Sequence, residues 1–107
     1  MPFYLVEAAY KDSAARALIA NPQKRSDVVK KTCESLGGSL HSLFFAFGDY
    51  DVIALVELPD NKAAAALALG IGASGAQSKY CTTVLMTQDE AMEAMRRAGD
   101  ISYIPPQ

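Results

Sequence analysis

Two runs rich in aromatic and β-branched residues, 39–47 (SLHSLFFAF) and 51–58 (DVIALVEL), are separated only by Gly48, Asp49 and Tyr50. Short apolar runs joined by so few turn-forming residues double back as a β-hairpin, and that hairpin constrains the rest of the chain. Before it, residues 2–10 (PFYLVEAAY) read as a first strand ending at Lys11-Asp12. Asp12 or Ser13 is then expected to cap a short helix through Ala20. Asn21-Pro22 interrupts it, with Asn21 as N-cap and Pro22 in the first position of a second piece running to Leu36. In that piece Val28, Val29, Thr32, Cys33 and Leu36 make one apolar stripe, and Gly37-Gly38 stops it. After the hairpin, Pro59-Asp60 closes the third strand. Asp60 is placed to cap an alanine-rich helix from Asn61 to about Leu69, broken by Gly70, Gly72 and Gly75. Residues 77–86 (QSKYCTTVLM) return as a fourth strand, and Thr87 with Glu90 matches a capping box for a last amphipathic helix through Ala98. The two prolines of the tail keep it extended.

Strand, helix, hairpin, helix, strand is the split βαβ arrangement. The expected fold is α+β, ferredoxin-like βαββαβ, with a four-stranded antiparallel sheet in the order 4-1-3-2 and an extra C-terminal helix. Strands one and three are expected to run parallel in its middle. The 107 residues suit one domain, with a core over about 3–90 and the last helix and tail over 88–107. Half the residues are hydrophobic and 21% charged, which marks a folding chain rather than a disordered one. A net charge of −2 leaves no electrostatic footprint for nucleic acid. Cys33 and Cys81 have no CxxC or histidine companion, so neither a disulfide framework nor a metal site is expected, and a reducing cytoplasm fits. Neither a signal-peptide pattern nor an apolar run of about 18 residues occurs, so no membrane association is expected.

In this fold helices cover one face of the sheet. Leu43, Phe44, Phe45, Phe47, Ile53 and Leu55 cannot all point to that face. A homodimer with two sheets packed face to face is therefore expected, each covered side chain contributing about 1.5–3 kcal/mol.

Met1-Pro2-x-Tyr4, Gly37-Gly38 before the second strand, the turn Gly48-Asp49-Tyr50-Asp51, the Glu57-Leu58-Pro59-Asp60 junction and the alanine-rich helix after it resemble the GYD domain family. The resemblance covers about residues 3 to 90. It implies the dimeric α/β-barrel superfamily, in agreement with the order of elements. It implies no reaction, since that superfamily includes cofactor-free oxygenases, haem-degrading enzymes, cyclases, dehalogenases and plain binding proteins.

Among candidate reactive groups, His41 is the one histidine, the side chain that titrates near neutrality without help. If the hairpin turn holds three residues, Phe47 faces Asp51 and His41 falls opposite Glu57; a two-residue turn separates their faces. The expected sheet order brings Glu7, Lys79 and Tyr80 to the same edge, gathering Glu7, His41, Glu57 and Lys79 at one end. A glutamate there, raised toward neutrality, would act with His41 as a base on an acidic carbon or phenol. The same residues also serve as plain pairs, Glu7 with Lys79 and Glu57 with His41. Tyr50 and Asp51 offer a proton donor and its partner, or simply turn chemistry. Gly70-Ile71-Gly72-Ala73-Ser74-Gly75 spells GxGxxG but follows a helix and leads into a strand, the reverse of a phosphate loop. Pro2 would expose a secondary amine, as in tautomerases, only once Met1 is removed. Cys33 and Cys81 read as small core hydrophobes.

The expectation is thus a cytoplasmic homodimer binding a small organic ligand in an apolar cavity, between sheet and helices or at the dimer interface, with no cofactor. Its catalytic candidates are His41, Glu57 and Glu7, for cofactor-free proton transfer or oxygenation, and its ligand-binding candidates are Lys79, Tyr80, Tyr50 and Asp51. The alternative is a non-catalytic structural or regulatory assembly domain.

Overall fold

The computed structural model describes residues 1–107. In chain order it contains β1 (Phe3–Tyr10), α1 (Asp12–Ala20), α2 (Ser26–Ser35), β2 (Ser39–Phe45), β3 (Val52–Glu57), α3 (Asn61–Ala73), β4 (Gln77–Leu85) and α4 (Gln88–Ala98). The four strands form one sheet in the order β2-β3-β1-β4, the expected ferredoxin-like order. Every neighbouring pair is antiparallel, β1 with β3 included, which corrects the parallel central pair. The helical crossover returns the chain so that β2 runs with β1, and the hairpin then reverses it, so β3 must oppose β1.

Alternate side chains of the central strands, Tyr4, Val6 and Ala8 from β1 with Ala54 and Val56 from β3, point to the helical layer. There Tyr4, Val6, Ala54 and Val56 form the core with Cys33 of α2, Leu58, and Ala64 and Leu67 of α3. The small Ala64 lets α3 lie close to the sheet. Tyr4 is fully buried yet satisfied, its hydroxyl donating to Asn61 Oδ1 at 2.7 Å. One residue earlier, Asp60 caps α3 by accepting from the Ala63 N–H at 2.9 Å.

Element ends show which local signals held. Gly37 adopts φ +81° after α2, the Gly38 N–H reaches the Cys33 carbonyl at 2.9 Å, and the Gly37 N–H reaches that of Glu34 at 3.0 Å. Those two bonds close the helix in the left-handed manner a glycine permits. The N-terminal ends differ from expectation. Lys11, not Asp12 or Ser13, is the N-cap of α1 and makes no side-chain cap bond. The second helix starts at Ser26 after Arg25, so Asn21-Pro22 opens an irregular segment rather than the helix. Gly70 and Gly72 lie inside α3, which runs to Ala73 because Ile71 packs against the core and carries the helix past them. Gly75, at φ +73°, follows its end.

Strands β2 and β3 are joined by residues 46–51, closed by a 2.8 Å bond from the Ala46 N–H to the Asp51 carbonyl, instead of a three-residue turn. Phe47 does not face Asp51; it is fully exposed.

The capping box of α4 forms as expected, Thr87 and Glu90 exchanging bonds of 3.1 and 3.2 Å. No residue of α4 is buried, and Met92, Met95, Ile101, Tyr103 and Ile104 are exposed. The radius of gyration is 17.1 Å, against about 13 Å for a compact chain of this length, because this arm projects from the domain.

Candidate functional site

The face of the sheet opposite the helices carries Phe3, Leu5 and Glu7 of β1, Ile53, Leu55 and Glu57 of β3, and Cys81, Thr83 and Leu85 of β4. At one end His41 Nε2 lies 2.8 Å from Glu57 Oε1, and its ring is 5.3 Å from that of Phe3. The contact arises by a different route from the expected one. Ser39 is the residue opposite Glu57, and a bulge between Leu40 and Ser42 turns His41 to the same side. The other oxygen of Glu57 lies 3.7 Å from the Met1 ammonium group, so this carboxylate meets two nitrogen groups on a water-exposed edge.

Glu7 and Lys79 are not at that end, which corrects the expected gathering of four residues. Phe3 pairs with Glu57, whereas Glu7 pairs with Ile53 and Cys81, about 13 Å further along the strand. The antiparallel β1–β3 pair thus leaves Glu57 at the end of the sheet and Glu7 near its middle. Lys79 Nζ sits over the Tyr50 ring, 4.6 Å from its centroid. Burial, and after it the nearby Cys81 thiol and Glu7 carboxylate, push the Tyr50 phenol above its ordinary range. Asp51 is engaged with backbone: its Oδ2 accepts from the Tyr10 N–H at 2.8 Å, and its own N–H donates to the Ala8 carbonyl at 2.9 Å. No group of three His, Cys, Asp or Glu side chains comes together as metal ligands do.

The remaining candidate, Tyr80, points the other way. It lines a cavity of about 450 Å³ between the sheet and the α1–α2 layer, with sixteen of its 21 lining residues hydrophobic. Small residues face each other across this space: Ala8 and Ala54 on the sheet, Ala14 and Ala17 on α1. α1 buries none of its own residues, so the helix roofs the cavity without filling it. Polar groups come from Gln23, Arg25, Thr32, Ser74 and Gln77, together with the Tyr10 phenol. The spacing of residues in sequence did not single out Arg25 or Gln23. Alanines at inward positions of both β1 and α1 were the available signal.

The Tyr80 hydroxyl is sealed from solvent and has no partner in full hydrogen-bond geometry. Burial pushes the Tyr80 phenol up to about 12, opposed by Thr82 and reinforced by the Cys33 thiol. The unfolded phenol titrates near 10. The fold therefore holds this proton more tightly, and its contribution to stability is intact below about pH 10 and is lost as pH rises toward 12. Tyr80→Phe removes an unpaired buried hydroxyl and is expected to stabilise the ligand-free protein by about 1 kcal/mol at pH 7. It should also reduce the alkaline loss of stability. Urea denaturation at pH 7 and pH 11 checks both; a destabilised variant at pH 7 would show that the hydroxyl is partnered.

The sequence matches the GYD domain family over residues 4–95. No curated protein sequence matches the chain. Among solved structures, the crystal structure of MtbAldR superposes with a TM-score of 0.55 at 15% identity, over 81% of this chain and 52% of that one. This chain thus spans about half the length of MtbAldR, and at that identity the likeness concerns the fold alone.

Proposed function

This chain belongs to the GYD domain family, whose name carries no reaction, and we propose that it is a homodimeric binder of a small organic ligand seated between sheet and helices. The observation that carries this reading is the 450 Å³ apolar cavity with a few polar side chains, Arg25 and Gln23 among them, in its wall. Ligand sites are apolar hollows of this size with a few converging polar groups.

Binding fits the cavity better than acid–base catalysis. No carboxylate or imidazole lines it, and a phenol near 12 stays protonated at neutral pH. His41 and Glu57 lie on the other face of the sheet, where their pairing suits a structural or interface role.

The dimer reading rests on that other face and on the arm. Phe3, Leu5, Ile53 and Leu55 have no helix over them. The 11 residues of α4 are fewer than an isolated helix needs in water. A second copy gives both surfaces cover.

N-phenyl-1-naphthylamine, a neutral fluorophore that brightens in apolar surroundings, tests the ligand site. Its emission is expected to rise with the native protein and to fall at least about tenfold in affinity with Ala17→Leu, which fills the cavity from α1. Equal binding by the filled variant would place the fluorophore elsewhere and sink the reading.

A further inference from the structure

We infer that the ligand of this cavity is a monocarboxylate with an apolar body, its carboxylate held by Arg25. This rests on the cavity being the ligand site, as proposed above.

Arg25 carries the one formal charge among the lining residues, in a chain whose net charge is −2. No carboxylate lies within ion-pair distance of it. Its Nη1 donates to Gln23 Oε1 at 2.7 Å, and Gln23 Nε2 donates in turn to the Asn21 carbonyl at 3.3 Å. That small chain of bonds steadies the guanidinium while leaving donors free. Asp51 is committed to the Tyr10 N–H. Arg25 is also the N-cap of α2, which has no side-chain cap bond, so the positive end of that helix adds to the same field. A half-buried cation beside an apolar space, with no anion of its own, attracts one from solution. The planar fork of guanidinium donors matches a carboxylate in bidentate geometry. A single cation suits a singly charged acid better than a phosphate dianion. The apolar walls then take a ring or short chain.

Titration calorimetry on the full chain with 4-phenylbutyrate and its neutral methyl ester tests the assignment. The acid is expected to bind about tenfold or more tighter than its ester. Arg25→Met should bring the acid down to the level of the ester and leave the ester unchanged, while Arg25→Lys keeps part of the preference. Acid and ester binding alike in the parent, with Arg25→Met changing neither, would overturn the carboxylate and leave the cavity reading standing. So would failure of the acid at millimolar concentration while the neutral fluorophore still binds. Loss of the fluorophore signal as well overturns the cavity reading beneath it.

Discussion

Replacing Gly38 by alanine is expected to cost about 3–5 kcal/mol of stability, a large share of the roughly 5–15 kcal/mol that holds a domain together. An added Cβ would stand 2.1 Å from the Glu57 carbonyl oxygen and 2.7 Å from Leu58 Cδ2. Neither neighbour can retreat cheaply. Glu57 is paired with both Ser39 and Phe3 in the sheet, and Leu58 is fully buried with its N–H bonded to the Pro2 carbonyl at 3.1 Å. Gly38 itself is held by its bond to Cys33. Gly37→Ala is the informative comparison. There the cost is the left-handed φ of +81°, about 1–2 kcal/mol, with Pro59 Cγ the nearest contact at 3.3 Å. Gly48→Ala meets nothing within 4 Å and should be silent. Urea denaturation of the three variants should rank them in that order. A Gly38→Ala protein as stable as the parent would mean that the β2 start and the β3 end do not approach as closely as described.

Ile53→Lys is expected to turn the proposed dimer into a monomer. Ile53 sits at the middle of the helix-free face, between Glu7 of β1 and Phe44 of β2, and it is only half-buried in the single chain. The substitution therefore spares the core. In a two-fold assembly one substitution occurs twice across the interface, and each unpaired ammonium taken out of water costs several kcal/mol. Association should weaken about a thousandfold or more. Sedimentation at micromolar concentration is the measurement, with circular dichroism to confirm that the variant stays folded. A parent that sediments as a monomer would remove the dimer from the proposed function without touching the cavity.

Local chemistry decided which elements this chain forms. Turn residues at 48–51 marked the hairpin, Gly37-Gly38 ended α2, Asp60 began α3, and Thr87 with Glu90 began α4. Each signal acts within a few residues, where backbone donors and side chains meet whatever the rest of the chain does. From the order of those elements the ferredoxin-like sheet followed. Tertiary packing decided the rest. It carried α3 through Gly70 and Gly72, because Ile71 and the core outweigh the weak helix preference of glycine. The bulge that joins His41 to Glu57, and the antiparallel register that parts Glu57 from Glu7, depend on how whole strands align. The cavity was the least legible feature, for a physical reason. It is a space left where Ala8, Ala14, Ala17 and Ala54 face one another from separate elements. Alanine in a sequence reads as close packing, and only the placement of α1 over the sheet shows that here it leaves room.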